Sequence, residues 1–425
     1  MITSPAFHGQ RFAVLGLARS GLATVGALLE SGAEVLAWDS REEARAACPA
    51  GARLADPLEA DLAGFDGVVV SPGVPINRHP IGAHARAAHV PILGDIELFA
   101  RARPSLPPHK VVGITGTNGK STTTALIHHL LADAGRPTRM GGNIGLPILS
   151  QQPLPEGGIY VLELSSFQID LTHSLACDVA VLTNITPDHL DRYDGFADYA
   201  AAKERLFTLQ HADQIAVIAT EDDPSRMIAS RINHRLVRVA SSQVGDASRW
   251  PALQGPHNAQ NVACARAVAE TLGLNAQTIE RGLQSYPGLP HRMERVATRH
   301  GVLFVNDSKA TNPTSTAPAL AAYPKVHWIL GGQAKTQDLA ACAPYFDHVA
   351  AAYVIGDAAP MFADLLSPHL PVVNAGTLEA AVRAAAAAAQ PGETVLLSPA
   401  CASFDQFRDF EARGDAFRAA VEALA

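Results

Sequence analysis

The run GITGTNGKSTTT, from Gly113 to Thr124, brings three glycines, a lysine and several hydroxyls together in one short stretch. Gly116 and Gly119 free the backbone to turn successive N–H groups toward phosphate oxygens. A helix pattern starting near Ser121 adds the partial positive charge of its amino end, Lys120 adds a full one, and the Ser121 hydroxyl suits Mg²⁺. Ile114 stands where the strict G-x-x-x-x-G-K-[ST] pattern needs its first glycine, leaving the shorter G-x-x-G-K-S. Strand, glycine loop and helix in that order point to ATP.

A second glycine loop, GLARSG from Gly16 to Gly21, precedes it, with Asp39 at the end of the next apolar run. This nearly reproduces the dinucleotide fingerprint, except that Ala18 replaces the central glycine. NAD, another nucleotide and a plain tight turn all remain open. Ser71-Pro72-Gly73 closes a later strand and could line the same crevice.

In the middle of the chain, Glu163 sits inside the otherwise apolar run VLELSS, and a carboxylate buried there is costly unless paired or bound to metal. TNITPDHLDRY puts Asp188, His189 and Asp191 after another strand, where open α/β sheets keep their ligands. Ser121, Glu163 and His189 together could hold a hard cation, although imidazole is the less usual ligand for Mg²⁺. Asp188 and Asp191 serve equally well as caps or salt-bridge partners. Lys203 in YAAAKERLF reads, from its residues alone, as a surface charge on a helix. Asn258 and Asn261 are spaced to share a helix face, suiting hydrogen bonds to a base or phosphate, while Asn258 also suits a helix cap. Further on, His291 and Arg292 precede VNDSKATN, and Asp307, Lys309, Thr311, Lys335 and Ser403 all follow apolar runs.

Short apolar runs alternating with helix-length segments are what position these residues, the pattern of parallel α/β sheets. A chain of 425 residues exceeds one ordinary core, and three such blocks fit it, at 1–103, 104–288 and 289–425. RARPSLPPHK from Arg101 reads as a linker between the first two. A formal charge of −8 argues against a nucleic-acid partner. No apolar run is long enough to span a membrane. Five scattered cysteines without CxxC spacing, and no signal-peptide layout, suggest a reducing cytoplasm. The expectation is a cytoplasmic monomer.

Taken together, GDIELF, GITGTNGKST, GGNIGLP, LELSSFQ, TNITPDHLDRY, GPHNAQN, GLPHRME, NDSKATN and LLSPACASFDQF resemble the Mur ligase family over nearly the whole chain. Several of these motifs are those of its D-glutamate-adding branch. The resemblance implies an α/β protein of three domains, with Rossmann-like amino- and carboxyl-terminal domains around a central P-loop ATPase-type domain. It implies ligation of D-glutamate to UDP-N-acetylmuramoyl-L-alanine at the expense of ATP, in peptidoglycan precursor synthesis. By the matching motifs, Arg19, Ser20, Asp39, Ser40, Arg41, Ser71, Pro72, Gly73 and Asn143 would contact the UDP substrate. Thr117, Asn118, Gly119, Lys120, Ser121, Asn258, Asn261, Arg292, Asp307 and Lys309 would contact ATP. Thr311, Lys335, Ser403 and Phe410 would contact glutamate. Ser121, Glu163, His189 and a carbamylated Lys203 would surround two Mg²⁺ ions, which reverses the surface reading of that lysine. Two positions depart from the pattern: Gln333 stands where an acid is frequent, and Phe404 where leucine is common.

Overall fold

The computed structural model describes residues 1–424, the side chains of 256 and 257 excepted. The chain forms two compact units, Met1–Gly245 with Gln260–Leu283, and Asp246–Ala259 with Gln284–Ala425. The first unit carries two sheets and the second carries one.

The first sheet contains β1 (Arg11–Leu15), β2 (Glu34–Trp38), β3 (Arg53–Leu54), β4 (Gly67–Val70) and β5 (Ile92–Leu93), in the order β3-β2-β1-β4-β5. The second contains β6 (His109–Thr115), β7 (Thr138–Gly142), β8 (Gly158–Glu163), β9 (Val179–Leu182), β10 (Ile215–Ala219) and β11 (Arg235–Val239), ordered β11-β10-β9-β6-β8-β7. Every pairing in both is parallel. Strands covered on both faces need apolar residues at every position, and β4, β8, β9 and β10 are buried throughout. The second unit's sheet contains β12 (Glu294–Arg299), β13 (Val302–Asn306), β14 (Val326–Gly331), β15 (Val349–Ile355), β16 (Val372–Gly376) and β17 (Thr394–Leu397). Its order is β12-β13-β17-β14-β15-β16, parallel except for the antiparallel edge pair β12–β13.

In each sheet the strand order reverses at a central strand, and the loops leaving the carboxyl ends there open a crevice. The loops after β1, β4, β6, β9, β13, β14 and β17 carry most of the residues singled out above.

The stretch from Arg101 is not a free linker. Its start completes the helix Asp95–Ala102, Arg103–Ser105 make a 3₁₀ turn that accepts Pro104, and β6 begins at His109. The Arg103 guanidinium donates to the Ala176 carbonyl at 2.8 Å. GDIELF and LELSSFQ work here as docking motifs between the first two sheets. Gly94 N–H donates to the Leu171 carbonyl at 3.0 Å. Glu97, 1% exposed, accepts from His173 N–H (2.7 Å), Ser174 N–H (2.9 Å), Ser174 Oγ (3.0 Å) and Arg101 Nε (3.0 Å). Ser165 and Gln168 form a capping box that starts the helix Ser166–Asp170. Glu97→Ala strips one carboxylate from four donors, so chemical denaturation should show a loss of about 2–4 kcal/mol. A loss within experimental error would remove Glu97 from this docking role.

Candidate active site

The phosphate loop sits between β6 and the helix Lys120–Asp133. Gly119 occupies the helix cap at φ +83°, and a Cβ there would stand 2.2 Å from Asn261 Oδ1, so only glycine fits. Asn261 in turn accepts from Thr123 Oγ at 3.2 Å. The loop after β9 braces the turn from the other side. Thr117 N–H donates to the Asn184 carbonyl and Asn118 N–H to Asn184 Oδ1, both at 2.8 Å. Thr183 Oγ donates to the Asn118 carbonyl at 2.7 Å. Lys120 Nζ donates to the Thr117 carbonyl at 2.7 Å, which holds its charge at the loop. Ser121 lies in the first turn of the helix.

Glu163 ends β8, paired with Ile114 of β6, so its carboxylate comes out beside the loop. It is 2% exposed. Oε1 accepts from Asn143 Nδ2 at 3.0 Å, and the Glu163 carbonyl accepts from Asn143 N–H at 2.8 Å. Oε2 is buried without a hydrogen-bond partner among the described residues. Such an orphan is costly, and an oxygen ligand to a hard cation fits it. No group of three His, Cys, Asp or Glu side chains that could hold a metal occurs among the described residues. Further oxygens would come from water, hydroxyls, backbone carbonyls, phosphates or a modified side chain.

Lys203 is where the reading of the residues alone fails. It lies on the helix Phe196–Thr208 but is 2% exposed, its Nζ donating to the Gly116 carbonyl at 2.8 Å and sitting 4.5 Å from the centre of the Tyr199 ring. Burial, and after it the Lys120 charge, pull its pKa down to about 7. Tyr199, one helical turn earlier, shares a 3.1 Å hydrogen bond with Thr117 Oγ and so ties this helix to the phosphate loop. His189 is half-exposed, in a left-handed conformation at φ +51°, its ring 5.0 Å from Phe167. Asp188 Oδ1 accepts from the His189 N–H at 2.9 Å, a local contact within the loop that caps no helix. The Asp191 carbonyl accepts from Arg78.

At the amino-terminal crevice, Asp39 clamps the glycine loop: Oδ2 accepts from Leu17 N–H at 2.8 Å and Oδ1 from Arg41 N–H at 2.9 Å. Backbone and Arg41 hydrogen bonds hold its carboxyl below the usual range, outweighing the opposing and individually largest effect of burial. Ser71 Oγ donates to the Gly16 carbonyl at 2.8 Å, and Arg19 to the Gly145 carbonyl at 2.9 Å. Arg19, Ser40, Arg41 and Gly73 are exposed at this edge, with Ser20 and Pro72 half-buried.

In the second unit, Asp307 follows β13, Oδ2 accepting from Ser398 Oγ (2.7 Å) and Oδ1 from Met293 N–H (3.2 Å). Burial pushes its carboxyl up to about 7. Lys335 Nζ donates to Thr311 Oγ at 3.3 Å, while Lys309 Nζ lies 3.8 Å over the Phe410 ring. Ser403 is buried, Phe404 beside it is 68% exposed, and Arg292 N–H donates to the Leu289 carbonyl at 3.2 Å. Asn258 Nδ2 donates to the Gln254 carbonyl at 2.8 Å, securing the start of the helix Pro256–Thr271.

Sequence reasoning overlooked Asn184, Tyr199 and Arg413. Tyr199 could have been found from its spacing of four from Lys203, and Asn184 from its place directly after the strand run VAVLT. Nothing in the sequence marks Arg413.

Residues 114–251 match the model of the Mur ligase middle domain, and residues 291–401 that of the Mur ligase, glutamate ligase domain. The UDP-N-acetylmuramoylalanine–D-glutamate ligase of Sphingopyxis alaskensis is 67% identical over 432 residues, covering 100% of both chains. The ligase of the same name from Novosphingobium aromaticivorans is 64% identical over 100% of this chain and 97% of its own. Among solved structures, UDP-N-acetylmuramate–alanine ligase MurC from Thermotoga maritima superposes with a TM-score of 0.62 at 17% identity, covering 98% of this chain and 100% of that one. MurF from Acinetobacter baumannii gives 0.59 at 18%, over 98% and 92%. At those identities the two structures speak for the fold alone. Identity that runs the full length of the close relatives says more, and on it the chain belongs to the Mur ligase family.

Proposed function

We propose that the protein is an ATP-dependent amide ligase that adds D-glutamate to UDP-N-acetylmuramoyl-L-alanine, in cytoplasmic peptidoglycan precursor synthesis. The observation that carries the reading is the pairing of buried Glu163 and buried Lys203 with a phosphate loop, in a chain whose relatives bear that ligase's name. We assign 1–103 to the UDP substrate, 104–288 to ATP and 289–425 to the amino acid. Among the described residues no helix is long and apolar enough to cross a membrane.

In this reading an oxygen of the substrate's alanyl carboxylate attacks the γ-phosphorus, and ADP leaves. Both reactants are anions, so the loop N–H groups and Lys120 have to offset their repulsion. The glutamate amine then attacks the acyl carbon through a tetrahedral intermediate, a proton is lost from nitrogen and inorganic phosphate departs. Asn143 and His189 would steady the muramoyl and acyl end. Asp307 and Arg292, with Asn258 and Asn261, would hold the nucleotide. Thr311, Lys335, Ser403 and Phe410 would receive glutamate, where a cation and hydroxyls suit two carboxylates. Two Mg²⁺ ions, when bound, supply positive charge between the anions; Ser121 and Glu163 would hold one, and Glu163, His189 and carbamylated Lys203 the other. Carbamylation joins the neutral Lys203 amine to CO₂ and releases one proton, turning an uncharged nitrogen into an anionic oxygen ligand. A pKa of about 7 leaves much of that amine neutral near physiological pH.

Phosphate release assayed with ATP, Mg²⁺ and UDP-N-acetylmuramoyl-L-alanine should depend on D-glutamate and not on L-glutamate. Release that ignores the amino acid contradicts the reading. Lys120→Ala should lower turnover by about a hundredfold or more while UDP-substrate binding persists; wild-type turnover by that variant would refute its role. Lys203→Ala should be inactive and partly restored by short-chain carboxylates, whereas full activity without them removes the carbamate. Since only the free amine reacts, the neutral fraction of Lys203 falls about tenfold per pH unit well below its pKa. Reactivation of CO₂-depleted enzyme, measured at a fixed dissolved CO₂ concentration, should slow correspondingly as pH drops through about 7, and a pH-independent rate would contradict this.

A further inference from the structure

Beneath the turns that follow β13, β14 and β17 lies a charge that the motifs leave unexplained. Arg413, in the helix Phe410–Glu422, is 1% exposed. Its five N–H groups meet five oxygens, none of them a carboxylate. Nε donates to Ser308 Oγ at 3.0 Å. Nη1 donates to the Ala402 and Gly331 carbonyls at 3.3 and 3.5 Å, and Nη2 to the Ser308 and Cys401 carbonyls at 2.8 and 3.0 Å. Burial lowers its pKa to about 10, so it stays charged at neutral pH. An arginine desolvated with no carboxylate in hydrogen-bond reach, only the Asp405 charge acting on it from further off, is a costly way to fill a core, and an apolar side chain would fill it at less expense. What the guanidinium offers is a planar fork that fixes several acceptors at set angles.

The acceptors belong to the three turns that bear the glutamate contacts proposed above. Ser308 precedes Lys309 and Thr311, Gly331 precedes Lys335, and Cys401 and Ala402 lead into Ser403. The turns are packed too closely to be independent. Gln333 and Ala402 exchange backbone hydrogen bonds at 2.9 and 3.0 Å, and a Cβ on Gly332 would stand 2.3 Å from the Ala402 carbonyl oxygen and 3.2 Å from Arg413 Nη1. Ser308 Oγ also donates to the Phe410 carbonyl at 2.8 Å, which joins the fourth contact to the same frame.

We propose that Arg413 is the positioning residue of the amino-acid acceptor site, its fork locking the three turns so that Thr311, Lys335 and Ser403 keep the spacing that a dicarboxylate acceptor requires. This rests on the reading of those residues as the acceptor site. Arg413→Lys keeps the charge but loses the fork, and Arg413→Ala loses both. Steady-state kinetics on each, varying D-glutamate, ATP and the UDP substrate in turn, separate positioning from general support. Arg413→Lys should raise KM for D-glutamate about tenfold or more, with KM for ATP and for the UDP substrate within about twofold of wild type. Millimolar guanidinium should recover part of the lost D-glutamate affinity in Arg413→Ala. An unchanged KM for D-glutamate in Arg413→Lys, or all three KM values rising together, overturns the proposal, and Arg413→Lys alone decides it if the alanine variant does not fold. Wild-type enzyme that shows no D-glutamate-dependent ADP release sinks the acceptor reading itself, a result distinct from an unaltered Arg413→Lys on an active background.

Discussion

A lysine amine shut inside a protein has to become neutral, find a counter-charge or be chemically changed, and that constraint organises the central sheet. Lys203 lies under the phosphate loop, its Nζ on the Gly116 carbonyl, with the Tyr199 ring against it and the Lys120 charge near enough to disfavour its own. The helix Phe196–Thr208 must therefore dock at one depth. Tyr199 sets that depth through Thr117, and the loop after β9 braces the opposite side. Register between β6 and β8 then brings Glu163, with its orphaned oxygen, to the same mouth. A buried amine and an unsatisfied buried carboxylate oxygen are each expensive alone. Their coincidence at a phosphate loop is what makes phosphoryl chemistry the economical explanation.

Much of this was legible in the residues. The inner strands announce themselves as unbroken apolar runs, because both faces are covered: GVVV, IYVLE, VAVL and IAVIA all became strands. The edges did not. β3 and β5 are two residues long, β7 reads TRMGG with one large apolar side chain, and β11 and β12, the outermost strands of their sheets, each carry two arginines and are mostly only partly buried. The phosphate loop was plain from its glycines. The burial of Lys203 was not, since YAAAKERLF has the spacing of a solvated helix face and only tertiary packing covers it. Asp39 was visible as an acid after a strand, but its clamp on Leu17 depends on a pairing between strands that spacing alone does not reveal.

The motifs most particular to this branch of the family also divide their labour in a way that spacing conceals. GDIELF and LELSSFQ are largely structural: Glu97 satisfies four donors across the junction of the first two sheets, and Ser165 and Gln168 cap a helix. Glu163 is the member of that second motif turned toward the loop. In the other unit the pattern repeats on different terms. Lys335 and Thr311 meet, Lys309 covers Phe410, and a single guanidinium beneath them binds the turns together. Most of the conspicuous polar groups of these motifs thus hold loops at strand ends.

The most direct test of the central claim is ¹³C NMR on the protein equilibrated with ¹³C-bicarbonate at about one pH unit above the Lys203 pKa. A carbamate carbon resonance that vanishes in Lys203→Arg is the expected result. A spectrum without such a resonance at saturating CO₂, or one that survives the substitution, contradicts the account.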